Sequence, residues 1–154
     1  MANFVRGSSS IFRIEAHIGF KVKYAHNVFD IVEFRERCRE LLLEAAAQIG
    51  VQLTVTGFDR NHVHMDMRLL RITLSIDYIS KQLKGMSGRK LLAEFPEIKR
   101  KFFWGSGLWS PVIYCDSLGR EPEQIREYIR NQGRKSSVHA VSLKQFFHSN
   151  TASL

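Results

Sequence analysis

The chain is short of acidic side chains: 15 Asp and Glu stand against 23 Lys and Arg, a formal net charge of +8 in 154 residues. An excess of that sign suits a polyanionic partner, most commonly nucleic acid, although a solvated basic surface accounts for the charge equally well. Cysteine is scarce too. Cys38 and Cys115 supply neither a disulfide framework nor zinc-type spacing, and their apolar surroundings lead us to expect two buried thiols. Residues 1–10 are polar and lack the apolar core of a secretory signal. No apolar run approaches the ~20 residues of a membrane-spanning helix. A cytoplasmic protein without a membrane partner is expected. No repeat or low-complexity linker interrupts the chain, so a single domain over 1–154 is expected, with its core at 10–135 and a basic tail at 136–154.

What is present is patterning. Residues 11–24 alternate, with Phe12, Ile14, Ala16, Ile18, Phe20, Val22 and Tyr24 on one face and Arg13, Glu15, His17, Lys21 and Lys23 on the other. Period two over this length predicts one long strand with a single buried face. Asp30 and Glu33 form a capping-box-like start to a helix through Phe34, Cys38, Leu41, Leu42, Ala45 and Ile49, stopped at Gly50. A strand from Val51, a turn at 57–61 and a strand from His62 to Leu69 make a hairpin. A helix at 73–84 is expected to break at Gly85, with Ser87 capping a short second helix that Pro96 ends. A basic aromatic stretch follows, then a strand at 109–118, and a final helix from Pro122 to Gly133. One more turn is expected near Leu143. The βαββαβ order is the ferredoxin-like, RRM-like α+β arrangement: a four-stranded antiparallel sheet, helices on one face, and an additional C-terminal helix.

His62 and His64 are two apart on a strand, so both project from the same face, opposite the core. Two imidazoles there can chelate one cation and leave positions for oxygen ligands and a substrate phosphate, as a Lewis-acid site requires. Asp66 continues that face and is either a ligand, a support for a histidine, or solvated; support or solvation is preferred. Taken alone, a His-x-His pair on an exposed strand face needs no function.

Tyr128 and Gln132 are four apart on the last helix and therefore neighbours on its surface. A phenol with an ordinary pKa of ~10 attacks phosphorus only with a proton acceptor or positive charge beside it. A cation supplies that charge, and the Gln132 amide oxygen can serve as a further ligand. Taken alone, a tyrosine on an amphipathic helix is more often a half-buried packing residue.

The combination resembles the single-tyrosine HUH transposase family of minimal bacterial and archaeal insertion sequences, the transposase A and REP-associated tyrosine transposase group. The shared features are Asn61-His62-Val63-His64, Tyr128-Ile129-Arg130-Asn131-Gln132, Lys23-Tyr24 with Phe29, the stretch from Lys84 to Arg89, and Leu108-Trp109-Ser110-Pro111, in the same order over residues 10–135. The resemblance implies that Tyr128 cleaves single-stranded DNA through a 5′-phosphotyrosine bond. It implies Mg²⁺ or Mn²⁺ on His62, His64 and Gln132, a homodimer with composite active sites, DNA hairpins at the element ends, and a prokaryotic, nucleoid-associated location. Two departures stand out. Gly119-Arg120 replaces a frequent double glycine before the tyrosine helix, and Ala25-His26 follows Lys-Tyr where an arginine is frequent.

Lys84, Arg89, Lys90, Arg130 and Arg134 are candidate phosphate contacts, whose affinity would fall with salt. Exposed aromatics within 102–109 are candidate stacking surfaces for unpaired bases. Three alternatives remain at this point: a non-mobile single-strand endonuclease or ligase acting on hairpin DNA, a non-catalytic nucleic-acid-binding domain, and a metal hydrolase using water with Tyr128 structural.

Overall fold

A computed structural model describes residues 4–117 and 142–145. Its centre is a four-stranded antiparallel sheet formed by β3 (Glu15–Val22), β4 (Val51–Phe58), β5 (His62–Leu69) and β6 (Trp109–Ser117), in the order β4-β5-β3-β6. The helices α1 (Val32–Ile49) and α2 (Ile76–Glu94) pack together on one side of it, and α3 (Pro96–Phe102) follows α2. This is the expected ferredoxin-like order. A small ribbon of β1 (Val5–Arg6) and β2 (Ile11–Phe12), which the alternation did not reveal, precedes it.

The core lies between sheet and helices. Ala16, Ile18, Phe20 and Val22 of β3 and Val63, Met65, Met67 and Leu69 of β5 point inward, because successive side chains on a pleated strand alternate faces. Phe34, Cys38, Leu41, Leu42 and Ala45 of α1 meet them at helical spacing. Fully burying each larger side chain contributes about 1.5–3 kcal/mol.

Several expectations are corrected. The first strand is not continuous over 11–24. Tyr24 takes a φ of 63°, in a short 3-10 turn at Lys23–Ala25, and its ring leaves the sheet to lie exposed. Asp30 does not cap α1, whose N-cap is Ile31 without a side-chain hydrogen bond. Its carboxylate instead accepts from Arg60 Nε and Nη2 at 3.1 and 2.8 Å. The α2 helix starts at a Ser75 cap and runs through Gly85 unbroken. A Cβ at Gly85 would stand 3.0 Å from Arg89 Nη1, so the missing side chain makes room for the guanidinium rather than a break. Ser87 is not a cap either. Its hydroxyl donates to Leu83 O and accepts from Trp109 Nε1, tying α2 to β6. Pro96 opens α3 rather than merely closing the preceding helix. Cys38 is buried as expected, but Cys115 is exposed, because β6 is a sheet edge. The expected final helix at 122–133 lies outside the described residues. Residues 143–145 form a helical turn, and Leu143 N donates to Glu33 Oε2 at the start of α1.

Candidate active site

The sheet face away from the helices carries the polar residues of β5. Because Val63, Met65 and Met67 point to the core, His62 and His64 share the opposite face. Their ring centroids are 4.8 Å apart and their planes cross at 83°, so both rings are within reach of one ion. They border a cavity of about 300 Å³, with Lys21, Asn61 and Tyr114 on its other walls. Among the described residues no three His, Cys, Asp or Glu side chains form a metal-holding cluster.

Hydrogen bonds define how each histidine faces that cavity. Asn61 Nδ2 donates to Ala25 O at 3.4 Å, which orients its amide oxygen toward His62 Nδ1, 2.7 Å away. His62 Nδ1 is then the protonated nitrogen, and Nε2 carries the lone pair. Burial lowers the pKa of His62, an effect that Asp59 opposes and Lys21 reinforces. The pKa of His64 is pushed down to about 4 by burial, then by His62 and His17. Its Nε2 is buried and has no hydrogen-bond partner. A neutral imidazole with an unsatisfied nitrogen is the form that binds a metal. The donor chemistry therefore fits a divalent cation.

Two residues that the sequence did not single out complete the surroundings. Asp59, buried in the turn before β5, places Oδ2 3.3 Å from His62 Nε2. His17 of β3 pairs across the sheet with Asp66, and its Nδ1 lies 2.8 Å from Asp66 Oδ1. Alternation assigned His17 to the solvated face, yet it is fully buried, and Asp66 is buried as well rather than solvated. A polar residue in an alternating strand gives no hint of such cover. For Asp59 the available signal was an acidic residue in the turn three positions before His62.

The other candidates divide. The Lys84 ammonium donates to Ser110 O at 2.8 Å and Val112 O at 3.1 Å and lies over the Phe20 ring, so much of its donor capacity joins α2 to β6. Lys84 and Arg89 border a second cavity of about 400 Å³, along with Lys23 and Trp109. Arg89 and Lys90 are exposed. Of the aromatics expected to stack on bases, Phe103 and Trp109 are buried, Phe102 is half-buried, and Trp104 stands 80% exposed. Tyr128, Gln132, Arg130 and Arg134 lie outside the described residues. No helix among the described residues is long and apolar enough to cross a membrane.

Comparison with known proteins agrees with this architecture. The family model described as IS200-like transposase matches residues 10–132. The ISDra2 transposase TnpA of Deinococcus radiodurans is 31% identical over 132 residues, covering 84% of this chain and 91% of that protein. The transposase for insertion sequence element IS200 of Salmonella typhimurium is 29% identical over 122 residues, 75% of this chain and 74% of its own. A crystal structure of a candidate transposase from Deinococcus radiodurans R1 superimposes with a TM-score of 0.67 at 28% identity, covering 82% of this chain and 96% of the other. A REP-associated tyrosine transposase bound to a REP hairpin shares the fold, with a TM-score of 0.50 at 8% identity over 80% of this chain and 67% of the other.

Proposed function

Because the chain belongs to the IS200-like transposase family, we propose that it cleaves and rejoins single-stranded DNA at insertion-sequence ends, with Tyr128 as nucleophile and His62, His64 and Gln132 holding Mg²⁺ or Mn²⁺. The observation that supports this most directly is His64 Nε2, buried and without a partner beside a second imidazole. Burying a polar nitrogen unsatisfied is costly unless something occupies it for part of the working cycle.

The chemistry balances without an outside energy source. Tyr128 Oη forms a bond to phosphorus, and the bond from phosphorus to the 3′ oxygen breaks. The tyrosine's proton is lost to the surroundings, and the departing 3′ oxygen gains one, so a 3′-hydroxyl and a 5′-phosphotyrosine result. A second 3′-hydroxyl then displaces the tyrosine and restores the phosphodiester. When bound, the metal supplies Lewis-acid polarisation of the phosphoryl oxygen. His62 and His64 would hold that centre from a strand, and Gln132, four residues beyond Tyr128, would tie the nucleophile to it. Arg89, Lys90, Arg130 and Arg134 contribute phosphate contacts, and the remaining donors of Lys84 add to them. The protein acts as a homodimer with composite sites at the nucleoid. Its substrate is single-stranded DNA bearing hairpins; the REP-associated neighbour is bound to a REP hairpin.

The test is a denaturing gel after incubation with Mn²⁺ and labelled single-stranded DNA carrying a terminal hairpin. A covalent band that disappears in Tyr128→Phe is expected. Cleavage that persists in Tyr128→Phe would point to a water-using hydrolase. Binding without any adduct would point to a non-catalytic DNA-binding domain.

A further inference from the structure

We propose that His17 is a positioning residue of this site: anchored by Asp66, it accepts a hydrogen bond from His64 Nδ1 and so keeps the His64 Nε2 lone pair turned toward the cation position. The inference rests on the metal-site reading of His64 and adds to it a support on the neighbouring strand.

The argument begins with register. His17 on β3 stands directly opposite Asp66 on β5, and Gly19 stands opposite His64. His17 is therefore the direct cross-strand neighbour of Asp66 and the diagonal neighbour of His64, both within reach on one sheet face. Between them, a Cβ at Gly19 would stand at ordinary contact distance, 3.5 Å from His64 Nδ1 and 3.6 Å from Tyr114 Cβ, so this position borders the His64 ring.

The direction of the hydrogen bonds follows from one group that can only accept. An ionised carboxylate has no proton to give, so across the 2.8 Å contact His17 Nδ1 donates to Asp66 Oδ1. His17 is taken as a neutral imidazole, in which the other nitrogen, Nε2, is then an acceptor. That atom lies 3.5 Å from His64 Nδ1, at the long end of hydrogen-bonding range. The two ring centroids are 5.6 Å apart with planes only 20° from parallel. The near-parallel rings therefore approach each other through these two nitrogens. His64 Nδ1 thus carries the proton, which leaves Nε2 bare. Nε2 is the buried atom without a partner.

Packing alone does not account for this arrangement. His17 is fully buried and Asp66 nearly so, on a face where alternation offers solvent. Placing an imidazole and a carboxylate there is unfavourable compared with an apolar pair, unless their polar atoms are satisfied by one another and by a third group. For the His17 Nε2 atom, His64 Nδ1 is such a group. Hydrogen bonds to the nitrogen remote from a metal fix the tautomer and ring orientation of a ligating histidine, and removing such a partner weakens metal binding by roughly 10–100-fold.

The test uses full-length protein labelled with ¹⁵N in its histidine rings, free of metal and DNA. Long-range ¹H–¹⁵N spectra at neutral pH are expected to show both His17 and His64 protonated at Nδ1. Added Mg²⁺ should shift the His64 Nε2 signal. In His17→Phe, which keeps a ring but no acceptor, His64 should become a mixture of tautomers. Its Mn²⁺ dissociation constant should rise roughly 10–100-fold. Asp66→Asn, which retains an acceptor oxygen for His17, should recover most of the affinity, whereas Asp66→Ala should not. Two results overturn the proposal: a wild-type His64 protonated at Nε2, or a folded His17→Phe protein whose Mn²⁺ affinity and His64 spectrum match wild type. If His17→Phe does not fold, the wild-type tautomer and the two Asp66 variants decide. A protein with the expected tautomers that forms no DNA adduct upholds the His17 support and sinks the strand-transfer reading. An adduct-forming protein with the opposite His64 tautomer does the reverse.

Discussion

Asp59 Oδ2 lies 3.3 Å from His62 Nε2, and the tautomer selected by Asn61 turns a lone pair, not a proton, toward that carboxylate. Asp59 also accepts from the Arg60 backbone N–H at Oδ1, and its charge favours the protonated form of His62 while Lys21 opposes it. A cation beside His62 Nε2 would be drawn by the same carboxylate.

Asp59→Asn exploits that relationship. The new amide can donate to His62 Nε2, so metal-free stability is expected to hold or rise. The stabilisation given by Mn²⁺, which for a single site is ~2.7 kcal/mol at about 100 times its Kd, should shrink. Thermal unfolding with and without Mn²⁺ measures both. A variant that loses metal-free stability yet keeps the whole metal-dependent gain would show that Asp59 serves only the turn.

The buried histidines make metal-free stability depend on pH. Burial first, and then His62 and His17, lower the pKa of His64 from its ordinary 6.5 to about 4. The unfolded chain takes up that proton near 6.5, while the folded chain resists until about 4, so in this window the unfolded state binds more protons. The contribution is therefore complete above pH 6.5 and is lost progressively as pH falls toward 4. Urea midpoints at a series of pH values should show this slope, and His64→Gln should flatten it. Equal slopes in the two proteins would rule out His64 as its source.

Gly19→Val is expected to disable the site more than the fold. A Cβ at Gly19 meets Val63 O at 3.4 Å and His64 Nδ1 at 3.5 Å, and the branched atoms beyond it press on the imidazole. Overpacking of this kind costs about 1–3 kcal/mol, with Mn²⁺ affinity falling further than stability. Gly19→Ala, whose added atom stays near ordinary contact distance, should be milder in both. Calorimetric titration beside urea unfolding separates the two effects.

Asp30→Ala tests what holds the β4–β5 turn against the start of α1. The buried Asp30 carboxylate takes two hydrogen bonds from Arg60, the residue between Asp59 and Asn61. Hydrogen bonds to charged groups are worth about 1.5–3 kcal/mol, and a loss near the lower end is expected because the freed guanidinium can turn to water. Urea unfolding checks this figure. Mn²⁺ affinity should fall as the turn carrying Asp59 and Asn61 loosens. Unchanged affinity would mean that the turn holds its shape without the ion pair.

The legibility of the fold varied with how local its causes are. Alternation on β3 and β5 and the apolar spacing of α1 are short-range patterns that any core-facing strand or helix must show, and they led to the right strand order. Gly85 does not break its helix, because α2 packs against α1 along its length and continues through it. Pro96 follows the end of α2 as expected and in addition opens α3 from its first turn. Asp30 looked like a cap because a cap is a local motif, whereas Arg60, its partner, is thirty positions away.

For the site, the sequence by itself determined that His62 and His64 share a face, since strand pleating forces residues two apart to the same side. It also carried the pattern from which Tyr128 is proposed as the nucleophile. It did not determine the state of those imidazoles. Only the sheet register set His17 against Asp66 and Gly19 against His64, and only the turn brought Asp59 to His62. Tautomer and charge depend on burial and on partners from other strands, and these exist only once distant segments have packed together.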